Sequence, residues 1–411
     1  MHPNALDKVP FRPVLRLAVC SDAHICEADD LYCARLRTQM RTVYAIAGQD
    51  EAYRQVDAFL VAGDATDRGA PEQYAAFTDA VRAEIRNGTQ MWAVVAKNHD
   101  NWTGEGKCGL AYYRAATGLP TDFHTVLRGF HIIGISTCAV AGEYYTPEQR
   151  DWLTRQLREA AAEDGERPIF VMHHEHVKDT VYGSTDTDGW GIAYFKDIFA
   201  QYPQIVHLSG HSHYPINDPR SVYQKDFTAI GVGSLHYAEL TIDGQNKIRP
   251  ADNREINEGW IIEVDAQYRI RMRGFDYLTN TQIASYRIDR PADKAHYTLT
   301  PEQQRACSSA PAFPPQAALT QTQTDDAVFV TVPRAESTDG FPVVLYRAWL
   351  TGEDGATLAS GYAIPPYWYA NAIPAYTVRL AKPDGAFSVF AAAENAYGMA
   401  SACLTTDAQA E

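Results

Sequence analysis

Five short groups of polar residues within the first 215 positions of the 411-residue sequence combine carboxylate, amide and imidazole side chains. They read Asp22-Ala23-His24, Gly63-Asp64-Ala65-Thr66-Asp67, Lys97-Asn98-His99-Asp100, His173-His174 and Gly210-His211-Ser212-His213. Such nitrogen and oxygen ligands suit manganese, iron, zinc or cobalt rather than the metals that thiols select. Asp22 and His24 are one residue apart, so on an extended segment both face the same side and could chelate one ion. The sequence therefore predicts a metal centre, in which Asp64 could bridge two ions.

Five of six short apolar runs, each typical of a buried strand, end just before one of these polar groups. The runs are 15–20, 58–61, 91–95, 131–135, 169–172 and 205–208. Helices are predicted near 30–47, 71–87, 147–162 and 192–200, and this alternation is typical of a mainly parallel sheet covered by helices. Ligand sites in such sheets lie beyond the carboxyl ends of the strands. We therefore expect the five groups to meet at one edge.

The sequence changes character twice after residue 220. Alternating short strands between 221 and 290 predict a second, antiparallel sheet that completes the first domain. Residues 300–326 are rich in proline, alanine, glutamine, threonine and serine, which is typical of a semi-rigid linker. Residues 327–411 predict a small all-β sandwich. Within it, the stretch AENAYGMAS at 393–401 resembles the final strands of a fibronectin type III domain.

The five polar groups, in this order and after successive strands, resemble the motifs of the calcineurin-like metallophosphoesterase superfamily over about residues 14–290. The resemblance implies an α/β fold, a four-layer α-β-β-α sandwich over residues 1–299, and hydrolysis of phosphoesters. The His173-His174 pair and the one-residue spacing of His211 and His213 favour the class III cyclic nucleotide and glycerophosphodiesterase branch. Lys97 departs from the family pattern, which usually has glycine there.

The resemblance also implies a role for each polar residue. One ion would be held by Asp22, His24, Asp64 and His213, and the other by Asp64, Asn98, His173 and His211. A hydroxide bridging these two divalent or trivalent ions would attack phosphorus. His99 would contact the phosphate or protonate the leaving group, and Asp100 would orient His99. The residues predicted to contact substrate are Lys97, Asn98, His99 and His174.

Two of these residues have an equally plain structural interpretation. His174 would point away from His173 on a continuing strand, so a structural role is as well supported as substrate contact. Lys97 could simply be an exposed lysine that the turn accommodates. The loop 175–191 is a further candidate for substrate contact. Ser136, Cys138, Tyr144, Tyr145, His236 and Tyr237 are candidates for the border of the pocket.

The net charge of −15 restricts the partners of the protein. A negative field repels nucleic acid, anionic membranes and phosphoesters alike, so an anionic substrate needs local cations, which bound metal ions supply. We expect a small phosphoester substrate, no nucleic acid and no membrane; no partner of the C-terminal domain is indicated. The first residues lack the order of a signal peptide, which favours the cytoplasm.

Two alternative functions stay open. A phosphomonoesterase or protein phosphatase would use the same fold and the same metal ligands, whereas the acidic balance disfavours a nuclease. A protein of another class would be a non-catalytic binding or adhesion protein, in which a degenerate phosphoesterase domain carries the fibronectin-like module. The complete set of ligand residues argues against degeneracy.

Overall fold

The computed structural model of this chain describes residues 9–28, 30–102, 108–138, 143–187, 189–369 and 373–406. The chain folds as two compact units. Within the described residues, the first unit comprises 9–216 and 220–301, and the second comprises 217–219 and 302–406. The polar groups singled out in the sequence all belong to the first unit.

The strands of the first unit form two six-stranded mixed sheets and two short strand pairs. They are β1 (Pro13–Cys20), β2 (Ala58–Val61), β3 (Gln90–Ala93), β4 (Phe123–Leu127), β5 (Phe130–Gly134), β6 (Ile169–Met172), β7 (His176–Val177), β8 (Gly191–Ile192), β9 (Ile205–Ser209), β10 (Val222–Gln224), β11 (Thr228–Gly231), β12 (Leu240–Ile242), β13 (Gln245–Ile248), β14 (Glu258–Asp265), β15 (Ile270–Asp276) and β16 (Thr281–Ile288). The first sheet has the order β16-β15-β14-β1-β2-β3 and the second β10-β11-β9-β6-β5-β4. The parallel neighbours are β1, β2 and β3 in the first sheet and β5, β6, β9 and β11 in the second.

The helices of the first unit are α1 (Leu31–Gly48), α2 (Pro71–Glu84), α3 (Cys108–Thr117), α4 (Pro147–Glu163) and α5 (Lys196–Phe199). Helix α4 shows how the sequence sets a boundary. The Thr146 hydroxyl accepts a hydrogen bond from the Gln149 amide at 3.2 Å, and Pro147 occupies the first helical position. Both features stabilise a helix start, because the first amides of a helix have no partner within it. Leu153 and Leu157 then face the second sheet.

Alternation along the central strands sends side chains into different cores. In β2, Leu60 packs between the two sheets, whereas its neighbours Phe59 and Val61 pack against helices. In β6, Phe170 packs between the sheets and Val171 packs against α4. Successive strand residues face opposite sides, so strands covered on both faces are apolar throughout. The layers are α1 to α3, the first sheet, the second sheet, and α4 with α5, which confirms the predicted α-β-β-α sandwich.

Most strands between 221 and 290 join the two large sheets, and only β12 and β13 pair separately, so the prediction of a second, antiparallel sheet is wrong. Strands β10 and β11 extend the second sheet, and β14 to β16 extend the first, where β14 pairs antiparallel with β1. The edge of a sheet carries unpaired backbone groups, and the later strands pair with β1 in the first sheet and with β9 in the second, which satisfies the groups on those strands. Helix α3 is an element that the sequence did not predict.

The second unit contains seven strands among its described residues. They are β17 (Thr320–Gln323), β18 (Ala327–Pro333), β19 (Val343–Thr351), β20 (Thr357–Ala363), β21 (Ala375–Ala381), β22 (Ser388–Asn395) and β23 (Leu404–Thr406). One sheet has the order β17-β18-β21 and the other β20-β19-β22-β23. Val330, Val378, Tyr346 and Val389 share one core, so the two sheets form a β-sandwich.

The segment 300–326, predicted to be a linker, contains the short helix α6 (Pro301–Cys307) and strand β17. Asn395 helps to hold this segment in a defined conformation, because its side-chain amide donates a hydrogen bond to the Ser309 carbonyl at 2.9 Å. Its side-chain oxygen accepts from the amides of Tyr397 and Met399, which shapes the turn in the stretch 393–401. The domain limits at 299 and 327 stay predictions, as does the fibronectin type III assignment.

No helix among the described residues is both long enough and apolar enough to cross a membrane. The cytoplasmic location stays a prediction. Six cysteines are described as free thiols, at positions 20, 26, 33, 138, 307 and 403, and three of them are exposed: Cys26, Cys307 and Cys403.

Candidate metal centre

The polar groups converge where strands of both sheets end. Asp22 and His24 follow β1, Asp64 follows β2, and the histidines at 174, 211 and 213 follow β6 and β9 of the second sheet. Backbone hydrogen bonds join these segments: the Asp22 amide donates to the Gly63 carbonyl at 3.1 Å, and the Gly210 amide donates to the His174 carbonyl at 2.9 Å. The site is therefore built across the carboxyl ends of both sheets.

Asp22, His24 and His213 form the first group of ligand atoms. The His213 Nε2 atom lies 3.1 Å from Asp22 Oδ1 and 3.2 Å from His24 Nε2. The His24 Nε2 atom lies 3.7 Å from Asp22 Oδ1. All three residues are buried, so their polar atoms turn toward each other rather than toward solvent.

Asp64, His174 and His211 form the second group. The His174 Nε2 atom lies 3.1 Å from Asp64 Oδ2 and 3.1 Å from His211 Nδ1. The Asn98 side-chain amide approaches His211 Nδ1 to 3.4 Å, so it borders the same group. A 180° flip of that amide would present its oxygen, because the oxygen and nitrogen positions of an amide are assigned from context.

Asp64 joins the two groups. Its Oδ2 atom lies 3.1 Å from His174 Nε2 in the second group and 3.9 Å from His24 Nε2 in the first. Asp22 reaches in the other direction, with Oδ1 3.9 Å from His174 Nε2. Two ions in these groups would therefore be neighbours that share Asp64.

The structure places His174, and not the predicted ligand His173, beside the other candidate ligands. The ring of His173 packs on the helix side of the second sheet, with ring centroids 5.1 Å from Phe195 and 4.2 Å from His207. The reason is the alternation of β6: Val171 faces the helices, so His173 does as well, and His174 faces the other way. Burial lowers the pKa of His173 to about 3, so the ring is neutral.

Five of the residues in these groups have left-handed backbone conformations. Their φ angles are 54° for Asp22, 48° for His24, 47° for Asp64, 73° for His211 and 57° for His213. Residues other than glycine rarely adopt positive φ, although aspartate, asparagine and histidine are enriched there. Such strain clusters at functional sites, where the surrounding fold enforces it.

Two glycines allow the ligand segments to approach closely. A Cβ atom on Gly63 would come within 2.5 Å of the His174 ring, and one on Gly210 within 2.4 Å of Asp22 Oδ2. No real Cβ contact is that short, so a side chain at either position would displace a residue of the centre. This requirement explains the glycines in the second and fifth sequence groups.

Hydrogen bonds from the outer nitrogen fix two histidine rings. The His174 Nδ1–H donates to the Ala62 carbonyl at 2.8 Å, and the His213 Nδ1–H donates to the Tyr237 carbonyl at 3.1 Å. A proton on Nδ1 leaves Nε2 as the atom with a free lone pair, which is the form that binds metal. In both rings Nε2 is the atom that faces the carboxylates.

The donor set fits metal ions. Among the described residues, Asp22 Oδ1 and both carboxylate oxygens of Asp64 are buried and receive no hydrogen bond of normal geometry. A buried carboxylate is unfavourable unless a cation or hydrogen bonds compensate its charge. Divalent ions bound by nitrogen and oxygen ligands supply that compensation.

The pKa shifts show how strongly this centre favours positive charge. Burial would raise the pKa of Asp64, but the adjacent His174 holds it below its usual value. Burial would lower the pKa of His174, but the Asp64 and Asp22 carboxylates raise it well above its usual value. Without metal, a histidine proton thus balances the carboxylates, and metal binding would release it because ligands must be deprotonated.

The profile of the calcineurin-like phosphoesterase family matches residues 15–215, a segment that contains every residue of both groups. This segment, just under half of the chain, is therefore similar to the calcineurin-like phosphoesterase family. A protein of Rhodococcus erythropolis named as a probable cyclic nucleotide phosphodiesterase is 32% identical over 173 residues, which cover 40% of this chain. The chain spans about half of that relative, 54% of its length.

Solved structures resemble the chain more distantly. A purple acid phosphatase from yellow lupin seeds, Lupinus luteus, aligns with a TM-score of 0.45 and 13% identity, covering 68% of this chain and 54% of that one. The alignment with a β-glucuronidase of Parabacteroides merdae covers 96% of this chain and 61% of that one, with a TM-score of 0.28 and 10% identity. Both likenesses are too distant to bear on function.

His99 lies beside the first group, with its ring centroid 4.2 Å from that of His24. The His99 Nδ1–H donates to the Asp67 carbonyl at 2.9 Å. The Asp67 carboxylate approaches Nδ1 to 3.7 Å. Asp67 therefore orients His99 and leaves Nε2 for another partner.

The prediction that Asp100 orients His99 is wrong. The Asp100 carboxylate is buried and accepts hydrogen bonds from the Thr66 amide at 2.9 Å, the Thr66 hydroxyl at 2.8 Å and the Ala96 amide at 3.2 Å. It thus joins the loops after β2 and β3. Burial, and next the charge of Asp64, raise its pKa to about 6.

Lys97 is held away from the two ligand groups. Its ammonium donates to the Glu143 carbonyl and lies 5.2 Å from the centre of the Tyr144 ring. The structure therefore shows Lys97 engaged with residues after β5, and substrate contact by Lys97 stays a prediction.

A cavity of about 460 Å³ opens beside the candidate metal centre. It is lined by Asn98, His99, Trp190, His211, His213, Tyr237, Glu239, Lys247 and Arg249. Tyr237 was among the border candidates and Trp190 falls in the loop 175–191, but sequence reasoning missed Glu239, Lys247 and Arg249. Lys247 lies in strand β13 and Arg249 directly follows it, more than 100 positions from Asn98, and no local pattern marks these two cations as part of the site.

Proposed function

We propose that this protein hydrolyses phosphoesters with two metal ions. One ion is held by Asp22, His24, Asp64 and His213, and the other by Asp64, Asn98, His174 and His211. The observation that carries the proposal is the position of Asp64, whose Oδ2 atom lies 3.1 Å and 3.9 Å from the imidazole nitrogens of two different ligand groups. Manganese, iron, zinc and cobalt all suit these ligands.

Two such ions, when bound, activate water and neutralise charge on the phosphoryl oxygens. The protein's own residues supply the rest of the chemistry. The His99 Nε2 atom, with Nδ1 anchored on Asp67, has no hydrogen-bond partner among the described residues and borders the cavity. A protonated His99 would donate from Nε2 to the oxygen of the leaving group as the bond to phosphorus breaks.

Replacing His99 with glutamine is expected to lower turnover by about a hundredfold for esters with a phenol leaving group, because proton donation is lost. The loss should be much smaller for p-nitrophenol, which leaves readily without a proton. Initial rates on matched phenyl and p-nitrophenyl diesters measure this difference, and metal analysis should show both ions still bound. An equal loss on both esters would instead assign His99 to phosphate contact.

A phosphodiester is the substrate class that we favour. The relative from Rhodococcus erythropolis carries the name of a probable cyclic nucleotide phosphodiesterase, and its similarity supports this class. With manganese added, kcat/KM for bis(p-nitrophenyl) phosphate should exceed that for p-nitrophenyl phosphate by about tenfold or more, and a chelator should abolish both activities. A clear preference for the monoester would favour the phosphomonoesterase alternative.

The same preparation tests the alternative of another class, a non-catalytic binding protein. That alternative predicts no more than one tightly bound ion per chain and no hydrolysis after manganese, zinc or iron is added. The strained, buried carboxylates of the centre speak against it, because such strain persists where function requires it. The small-molecule substrate and the absence of nucleic acid or membrane partners remain part of the proposal.

A further inference from the structure

One wall of the cavity beside the metal centre contains two aromatic rings and two cations. They are Trp190, Tyr237, Lys247 and Arg249, and Glu239 also lines the cavity. Neither the proposed hydrolysis nor the ligand groups use this wall. The charge of its two cations is opposite in sign to the net charge of the whole chain, which is −15.

Tyr237 already has both ring faces occupied. One face stacks on His213, with centroids 4.0 Å apart and an angle of 24° between the rings. The Arg249 guanidinium lies 4.1 Å from the Tyr237 ring centre and donates to the Tyr237 hydroxyl at 2.9 Å. A cation over an aromatic ring is attracted by the negative charge of its face. The ring therefore positions Arg249 and is not available to stack on a flat substrate group.

Trp190 lies between Lys247 and the metal centre, as Tyr237 lies between Arg249 and the metal centre. Its ring meets the ring of His211 edge to face at 4.6 Å, and the Lys247 ammonium lies 4.3 Å from its centre. Each of the two cations is thus separated from a proposed metal ligand by a single aromatic ring. This arrangement repeats on the His211 and His213 sides of the cavity.

The two cations differ in how far their charge is balanced. Arg249 forms an ion pair with the buried Glu239 at 2.7 Å. Lys247 has no ion pair or hydrogen bond among the described residues. An unbalanced ammonium beside a cavity is a binding position for an anion, and the paired guanidinium adds donors next to it.

The segments that carry these residues are fastened to each other. Tyr182 precedes Trp190 in the chain. Its hydroxyl donates a hydrogen bond to the Thr241 carbonyl and accepts one from the Thr241 amide, both at 3.0 Å. The Asn246 side chain, next to Lys247, donates to the Thr187 carbonyl at 3.0 Å. The wall is therefore organised before a substrate arrives, which reduces the entropy lost on binding.

We infer that Lys247 and Arg249 bind a second anionic group of the substrate, a phosphate or a carboxylate, while the metal centre holds the scissile phosphoryl group. The inference rests on the proposed function, because it places the scissile group at the metal ions. The favoured substrate is a phosphoester with another anionic group a few bonds from the scissile phosphorus. A cyclic nucleotide with a single phosphate would leave this wall unfilled.

Phosphonates that cannot be hydrolysed test the inference by titration calorimetry on the manganese-loaded full chain. The set comprises methylphosphonate, α,ω-alkanediphosphonates with one to four methylene groups, and phosphonocarboxylates with the same spacers. At the best spacer we expect binding about tenfold tighter than for methylphosphonate. The comparison of diphosphonates with phosphonocarboxylates shows which second anion the wall prefers.

Lys247→Met retains the unbranched side chain but removes the charge, and it should abolish most of the gain. Lys225→Met, an exposed lysine outside the cavity, is the matched control and should retain the gain. No gain at any spacer, or a gain that Lys247→Met retains, would overturn the inference. Failure of methylphosphonate itself to bind would instead contradict the proposed metal centre, so the two failures are distinguishable.

Discussion

Replacing His174 with alanine is expected to remove one of the two metal ions and to lower kcat/KM by about a hundredfold or more. Even residues that only orient metal ligands cost roughly 10- to 100-fold when they are removed, and the geometry makes His174 a ligand itself. Its Nε2 atom lies 3.1 Å from both Asp64 Oδ2 and His211 Nδ1, and Nδ1 is anchored on the Ala62 carbonyl. Metal content per chain and steady-state rates measure the two effects.

His173→Leu is the matched control, because it changes the adjacent residue on the opposite face of the strand. His173 is buried among Phe195, Phe199 and His207, so an apolar side chain of similar volume suits its surroundings. This variant should retain both ions and most of the activity. The opposite pattern, with metal lost from His173→Leu and kept in His174→Ala, would contradict the ligand assignment.

Replacing Asp64 with asparagine is expected to have a still larger effect, a loss of kcat/KM of about a thousandfold, because one residue serves both ions. Asparagine has the same shape as aspartate and tolerates the left-handed backbone at φ 47°, so the loop should keep its conformation. The side chain loses its negative charge and one of two acceptor oxygens. Metal content should therefore fall below two ions per chain.

Asp179→Asn makes the same chemical change in the same backbone region outside the centre. Asp179 has φ 57° and a half-exposed side chain that pairs with Lys196. Its replacement should leave metal content and rate unchanged. If Asp64→Asn retained two ions and near-normal turnover, Asp64 would not bridge the groups and the dinuclear proposal would fail.

The positions of the central strands, and the polar groups that follow them, were predictable because both depend on local pattern. The apolar runs at 58–61 and 169–172 coincide with β2 and β6, and the polar groups follow these strands. The choice between His173 and His174 was not predictable from burial, since all four residues of β6 are buried. Val171 packs against the helices, and this tertiary packing decides which histidine faces the carboxylates.

The other differences between the sequence prediction and the structure also arise from long-range contacts. Asp100 is adjacent to His99 in the sequence, yet its carboxylate binds Thr66, a partner 34 positions earlier. Lys247 and Arg249 are ordinary cations of a surface hairpin until the fold places that hairpin beside Trp190. The sheet partners of β10 to β16 depended likewise on which edges were open, and the local sequence does not encode that choice.

The left-handed backbone at five ligand positions has a consequence for how ions enter the protein. Each such conformation costs roughly 1 kcal/mol or more, and backbone hydrogen bonds between the loops, such as those from Asp22 to Gly63 and from Gly210 to His174, help to sustain it. We therefore expect the loops to bind ions without refolding. The rate of ion uptake should then be set by the rate at which the ions exchange their hydration water. Removal of the ions by a chelator should leave the conformation of the ligand loops unchanged.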